Sequence, residues 1–547
     1  MEHYFTRLEQ TYKNKWEDPA LSNYNGESIT YRELATFVEK FHIFFEAAGI
    51  RKGEKIALCA KNTARWAVSF MAINTYETVV VPILSDFTPE SVGHLVDHSG
   101  AVALFTSQEI WHHMDIEAMP MVKAVVNVND FTLLYAREES IKAAFDSIPT
   151  TFTARYPLGF NRENVCYPKD NLGDVCVINY TSGTTSAPKG VMLRYESFST
   201  MLEFSIVHMP IYPGDRIVSM LPMGHIYGLT FEFLFPLCFG APITYLGKTP
   251  SPTLLLKAVN DVKPFLVVTV PLVMEKVYKN SIKPVISKWY MKALLAIPGV
   301  GHIIYRKIGK KLQDAFGGRV RQFILGGAAL NPDVEKAFKR MHFPYTVGYG
   351  MTEAAPLLTY IEWNKFIPGS CGKPISCTTV RIDSEDPQHI AGEIQAKGAN
   401  ICSGYYNNPE ASANAFTDDG YLRTGDLGIM DKDGNLFIKG RSKNMILSAN
   451  GQNIYPEEIE AVINSQDYVA ESVVLDRNGR LVALVYLDAD AIKRDKLDDE
   501  TVSDIPESVR INSNRVLPGY SQISKVEVMT APFEKTPKMS IKRFLYK

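Results

Sequence analysis

The sequence predicts an α/β fold of doubly wound parallel sheets over residues 1–439 and a small α+β domain over 440–547. Two observations predict it. In the first part, short apolar runs of strand length alternate with amphipathic stretches of helical spacing, the pattern of parallel strands covered on both faces. Near residue 430 this texture gives way to short strands, one helix and a hairpin signal. A length of 547 residues calls for several folding units. Hydrophobic residues at 46% and charged residues at 22% exclude a disordered, collagenous or coiled-coil chain.

The elements follow in order. Residues 31–48 set Leu34, Phe37, Val38, Phe41, Phe44, Phe45 and Ala48 at helical spacing, and Gly49 stands where a C-terminal cap belongs. Buried-strand runs occur at 56–59, 79–81, 101–105, 122–126, 265–270 and 322–325. Past the change of texture, 435–439 and 445–448 read as short strands. A helix starts after Pro456 and carries Glu457, Glu458 and Glu460 in its first turns, where the helix dipole favours acids. Residues 471–477 and 481–488 flank Asn478-Gly479, a dipeptide of tight hairpins.

Charge and cysteine usage narrow the class. Lys and Arg number 58 against 60 Asp and Glu, so no global field draws the chain to nucleic acid, and no nucleic-acid motif is present. Residues 276–321 nevertheless hold eleven Lys and Arg against one acid, Asp314, with Trp289-Tyr290-Met291 and Ile303-Ile304-Tyr305 among them. Such a face contacts an anionic membrane, receives a polyanionic cofactor, or is a solvated helical face. Seven cysteines, mostly in apolar runs, predict buried free thiols in a reducing compartment. Met1–Phe5 shows no basic segment followed by an apolar core, and no apolar run reaches spanning length. The expectation is a cytoplasmic chain, peripheral at most to the inner membrane surface.

The most informative segment is Thr181-Ser182-Gly183-Thr184-Thr185-Ser186-Ala187-Pro188-Lys189-Gly190, which follows the apolar run Val175–Ile178. Small hydroxyl residues and glycine let such a loop turn several N–H groups and hydroxyls toward one anion, and Lys189 adds a point charge. The order of residues is not that of a Walker loop. The bland alternative, a flexible polar turn, is weakened by the length of the run and its Pro-Lys-Gly end.

This segment resembles the phosphate loop of the adenylate-forming (AMP-binding) enzymes, with Ser186 where the family usually has Gly. Later motifs extend the resemblance over nearly the whole chain. Gly326-Gly327-Ala328 resembles the turn that contacts adenine. Gly348-Tyr349-Gly350-Met351-Thr352-Glu353 is similar to the motif whose Tyr stacks on adenine, whose Thr touches the α-phosphate and whose Glu helps hold Mg²⁺. Tyr421–Leu427 resembles the segment whose Asp, here Asp426, binds the ribose hydroxyls. Gly440-Arg441-Ser442-Lys443 resembles the hinge, with Arg441 on the nucleotide and Lys443 as pivot, and Gly451 is carried over as a nucleotide contact. The resemblance implies a small β-subdomain within the large domain, and ATP, Mg²⁺ and CoA as cofactors and acceptor. The chemistry it implies is formation of an acyl-adenylate and then thioester formation, with a rotating C-terminal domain between the two steps.

On the substrate side, Leu221–Leu229 resembles the segment leading into the acyl pocket, with His225 at its gate; a packed structural ring is the bland reading of His225. No Asp occurs from 217 to 260, where amino-acid-activating members place one. Val270-Pro271-Leu272-Val273-Met274-Glu275-Lys276 resembles a run of long-chain fatty acyl-CoA synthetases. The expected substrate is a medium- or long-chain fatty acid. The expected acceptor is CoA, with a carrier-protein phosphopantetheine as alternative. One position departs from the family: Ser540 stands where a catalytic Lys belongs, so Lys538 or Lys542 is expected to supply that charge. A non-catalytic nucleotide- or acyl-binding protein is the competing reading.

Overall fold

The computed structural model of the chain describes residues 1–181, 189–247, 252–447, 453–536 and 541–546, the side chains of 252 and 253 excepted. Seven strands form the largest sheet, in the spatial order Leu133–Ala136, Ala124–Asn127, Ala101–Thr106, Lys55–Cys59, Val79–Ile83, Val175–Thr181 and Lys189–Arg194. The inner five run parallel and the two edge strands antiparallel. Strands Val79–Ile83 and Ala101–Thr106 are buried at every residue, as their uninterrupted apolar character requires.

Alternation along each strand splits the core in two. Ile56 and Leu58 pack with helices Tyr31–Ala47 and Ala64–Thr75 on one face. Ala57 and Cys59 pack with helix Pro89–Ser99 on the other. This is the doubly wound arrangement read from the sequence. Local chemistry sets the helix ends: Thr30 and Glu33 form a reciprocal capping box at the start of Tyr31–Ala47. Gly100, at φ 64°, ends Pro89–Ser99 in the left-handed region.

A second layer holds the strand ends that matter for the site. Leu266–Thr269, Gln322–Leu325 and Tyr345–Val347 form a parallel sheet. A separate sheet orders Ile217–Ser219, Ile243–Tyr245, Pro19–Asn23 and Ser28–Thr30. Four antiparallel strands, Thr378–Asp383, Gly392–Gly398, Leu422–Met430 and Leu436–Arg441, make a small all-β unit. The last of these extends through Gly440 and Arg441, which pair with Leu427 and Asp426.

Beyond it, helix Pro456–Asn464 and the hairpin Val469–Arg477/Arg480–Leu487 pack with helix Asp499–Asn514 and strand Ile523–Val528. Their apolar clusters draw only on residues after 445. Asn478 and Gly479 both take positive φ, 57° and 76°, as a two-residue hairpin turn demands. All seven cysteines are free thiols: five are buried, Cys377 half-buried and Cys166 exposed. Among the described residues no helix is long and apolar enough to cross a membrane.

Candidate functional site

The strand that carries Thr181 pairs with the strand that begins at Lys189, and the Thr181 hydroxyl donates to the Lys189 carbonyl at 3.4 Å. The 182–188 connection therefore joins an inner strand of the large sheet to the antiparallel edge strand beside it. Ser182, Gly183, Thr184 and Thr185 lie outside the described residues, as do Gly451, Lys538 and Ser540. Lys189 places its ammonium 5.0 Å from the centre of the Tyr405 ring. The Tyr405 hydroxyl donates to Glu353 Oε1 at 2.9 Å. One ring thus bridges the cation and the carboxylate.

Main-chain pairing brings these three together. Residues 403–406 run along strand Lys189–Arg194: Met192 N donates to the Gly404 carbonyl at 3.0 Å and Tyr406 N to the Gly190 carbonyl at 2.7 Å. Cys402 N donates to the Glu353 carbonyl at 2.8 Å, tying the Thr352–Ala354 turn to the same segment. Glu353 is 8% exposed, so its carboxylate sits in a partly dehydrated setting where an oxygen ligand interacts strongly with a cation.

Asp426 is the centre of a second group. It accepts from the Tyr349 hydroxyl at 2.7 Å through Oδ2 and pairs with Arg441 Nε at 2.8 Å through Oδ1. Asp426 and Arg441 are cross-strand partners, which explains how residues from two separate motifs meet. Burial pushes the Asp426 carboxyl above the usual carboxylate range, and the Arg441 guanidinium pulls against that. Gly350 is required sterically: a Cβ there would lie 1.9 Å from the Pro356 carbonyl oxygen.

The turn Gly326-Gly327-Ala328 lies where the parallel strands end, with Gly326 N on the Thr269 carbonyl at 3.1 Å and Gly348 N on the Leu325 carbonyl at 2.9 Å. Carboxyl ends of parallel strands are where α/β sheets bind ligands. The Tyr227 ring lies against Gly326, so close that a Cβ would meet it at 3.1 Å, and its hydroxyl donates to the Ile324 carbonyl at 3.1 Å. Segment Leu221–Leu229 therefore abuts the Gly326–Ala328 turn. His225 is half-buried at the head of the short helix Ile226–Gly228.

Three side chains clamp that segment. Asn62 donates to the Leu221 carbonyl at 2.7 Å and accepts from Met223 N at 3.0 Å. Asn179 donates to the Gly224 carbonyl at 2.7 Å. Glu232, fully buried, accepts from Met220 N at 2.9 Å, Leu221 N at 2.8 Å and the Ser219 hydroxyl at 3.2 Å, all through Oε2. Burial pushes its carboxyl up to about 8.

The structure thus gathers Lys189 with Glu353, Tyr349 with Asp426 and Arg441, and Gly326 with Tyr227. Ala328 is exposed beside them and Thr352 opens the turn that carries Glu353. Lys443 lies exposed in the single turn Ser442–Asn444. Lys542 instead pairs with Glu534 at 3.4 Å, while Arg543 next to it is paired with Glu460. Tyr405, Glu232, Asn62 and Asn179 escaped the sequence reading. The available signals were the Gly404-Tyr405-Tyr406 run and a single acid inside the apolar run Leu229–Phe239.

Comparison with known proteins gives a consistent picture. The model of the AMP-binding enzyme family matches residues 8–406, and that of the AMP-binding enzyme C-terminal domain matches 443–546. Similar curated proteins include long-chain-fatty-acid–CoA ligase 1 of Saccharomyces cerevisiae, 28% identical over 85% of this chain and 72% of its own. FadD15 of Mycobacterium tuberculosis, also a long-chain-fatty-acid–CoA ligase, is 26% identical over 94% of this chain and 90% of its own. Among solved structures, the anthranilate CoA ligase AuaEII with anthranoyl-AMP superposes with a TM-score of 0.79 at 19% identity, covering 100% of this chain and 96% of that one. O-succinylbenzoate CoA synthetase of Bacillus subtilis, with ATP and magnesium, gives 0.75 at 20% identity, covering 100% and 99%. At these identities the structures establish the fold.

Proposed function

Because this chain belongs to the AMP-binding enzyme family, we propose that it is an acid–thiol ligase that activates a fatty acid with ATP and passes the acyl group to CoA. In the first half-reaction the carboxylate attacks the α-phosphorus of ATP, forming an acyl-adenylate and releasing pyrophosphate. In the second, the CoA thiol attacks the acyl carbon and AMP leaves.

The observation that carries this reading is the assembly of two charged groups from five separated segments: Lys189–Tyr405–Glu353 and Tyr349–Asp426–Arg441. The residues present fit the cofactors. Glu353 offers a hard oxygen for Mg²⁺, since Tyr405 occupies only Oε1. When bound, Mg²⁺ neutralises phosphate charge. Lys189 and Thr181 face the phosphates at the base of the 182–188 loop, with Ser182, Gly183, Thr184 and Thr185 as the loop's own donors. Asp426 holds the ribose, Tyr349 and the Gly326–Ala328 turn take the adenine, Thr352 meets the α-phosphate, and Arg441 reaches the nucleotide. Lys443 is the pivot between a unit of 1–439 and one of 440–547, with Lys538 or Lys542 as the charge that Ser540 lacks.

Fatty acid is favoured because the curated relatives named above are long-chain-fatty-acid–CoA ligases. The acyl side adds support. The single acid from 217 to 260, Glu232, commits an oxygen to Ser219, Met220 and Leu221 rather than to a substrate ammonium.

The test is pyrophosphate release over a panel of carboxylic acids, followed by thioester formation with CoA and with a carrier protein in turn. Release with fatty acids and a CoA thioester is expected. A thioester on the carrier protein alone would move the acceptor, and no release with any acid would leave a binding protein.

A further inference from the structure

Helix Trp289–Ala296 is apolar apart from Lys292, yet none of its eight residues is buried. A helix of this composition ordinarily turns an apolar face to a core. Here Trp289 is 82% exposed and Ile303, on the next helix, 56%. Leu294, Ile297 and Val300, on the same two helices and the turn between them, are exposed as well. Isolated exposed apolar residues are ordinary, but a contiguous patch marks an interaction surface.

Two glycines hold the patch outward. Gly301 lets helix Val300–Ala315 close on Trp289–Ala296: a Cβ there would lie 2.4 Å from the Leu295 carbonyl. Gly309 seats the same helix on Pro332–Met341, where a Cβ would lie 2.3 Å from the Met341 carbonyl. The hairpin is thus braced against the body of the protein.

Charge around the patch is one-sided. Lys288, Lys292, Arg306, Lys307, Lys310 and Lys311 are exposed, and among the described residues none of them forms an ion pair. Two other lysines of the basic stretch are committed elsewhere: Lys279 donates to the Asn464 and Val469 carbonyls, and Lys283 pairs with Asp467. They dock the C-terminal unit, whereas the six charges within residues 288–311 carry no such commitment.

We propose that this helical hairpin, residues 288–311, docks the protein on an anionic lipid bilayer. Trp289, Leu294, Ile297 and Ile303 enter the interfacial layer, and the lysines meet headgroup phosphates. A bilayer offers an apolar layer beneath a negative surface, matching both halves of the patch, whereas an acidic soluble partner matches only the charge. Long lysine stems let the ammonium groups stay at headgroup level while the rings sit deeper. Helix Pro271–Val277, which leads into this region, starts beside the Gly326–Ala328 turn, with Val270 as the side chain nearest Gly327. The docked surface therefore connects to the site through that helix.

The proposal is tested by flotation of the full chain with vesicles of phosphatidylcholine alone or with added phosphatidylglycerol. Binding is expected to the anionic vesicles, to weaken with salt, and to blue-shift the emission of Trp289, a shift lost in Trp289→Phe. Trp289→Ser with Ile303→Ser, and separately Lys288→Glu with Lys292→Glu, should each weaken binding by about tenfold or more. Unchanged thermal melting would confirm that these variants fold. Undiminished binding by either pair, or equal binding to both vesicle types, overturns the proposal. So does a dimer in light scattering that Trp289→Ser abolishes, or preferential binding of an acidic carrier protein through the same residues. Pyrophosphate release in solution is scored separately, so failure of the ligase reading leaves the vesicle result intact.

Discussion

Tyr405 does two things with one ring: its face receives the Lys189 ammonium and its hydroxyl fixes Glu353. Tyr405→Phe keeps the first and removes the second. A hydrogen bond to a charged group contributes about 1.5–3 kcal/mol. If Glu353 holds Mg²⁺, losing that bond should weaken apparent Mg²⁺ affinity by about tenfold, with the rate at saturating Mg²⁺ changed little. Pyrophosphate release titrated with Mg²⁺ measures this, and an unaltered titration would show that the bond orients nothing of consequence. At this scale the sequence was legible where motifs are short and glycine-marked. Tyr349 and Glu353 sit in one such run, and Asp426 and Arg441 near others. Tyr405 was not legible, because it acts on Glu353 from 52 residues away and only strand pairing unites them.

The turn Leu229–Leu234 has π-helical geometry, and it carries the buried acid Glu232 toward the end of strand Ile217–Ser219. Insertions of this kind often mark functional positions in helices. Burial raises the Glu232 carboxyl from 4.5 to about 8, so the folded chain keeps a proton there that the unfolded chain releases. Stability from this group is therefore greatest below the unfolded value and is lost as pH rises from 4.5 to about 8. Glu232→Gln holds a neutral amide in the same place. Its stability relative to the natural chain should improve across that window, at most by about 1.4 kcal/mol per pH unit. Urea unfolding at a series of pH values would reveal it, and a constant difference would mean that Glu232 is ionised throughout. The acid stood out in its apolar run, but its partners belong to another strand, so its use could not be read from the sequence.

Across the whole molecule, two bodies with separate apolar clusters meet at the short link Ser442–Asn444. On the family reading Lys443 is a pivot. Lys443→Pro fixes φ near −65° and biases Ser442 toward extended backbone, so one arrangement should be locked. One half-reaction should then fall at least about tenfold more than the other, measured as adenylate formation and as thioester formation from supplied adenylate. Equal loss in a folded variant would remove the pivot from this position. The inner strands, the helix Tyr31–Ala47 and the Asn478-Gly479 hairpin were legible because each is set by local pattern. The sheet orders were not, since they depend on contacts between distant segments. Strand Pro19–Asn23 shows this: it inserts between Ser28–Thr30 and Ile243–Tyr245, and nothing near it in the chain announces the second neighbour.

That insertion gives the protein a schedule during synthesis. The Ser22 hydroxyl bonds the Ile243 carbonyl, 221 residues later in the chain. At ribosomal speeds of about 5–20 residues per second, the first strand waits roughly 10–40 seconds for that neighbour. Helix Tyr4–Asn14 waits with it, because its buried face packs on Phe235–Phe239. Through that interval the apolar face of helix Tyr4–Asn14 and the second edge of the strand lack their partners and are open to holding chaperones. Nascent chains arrested before residue 235 should be cleaved readily near their N-terminus, and chains arrested well beyond 245 should resist.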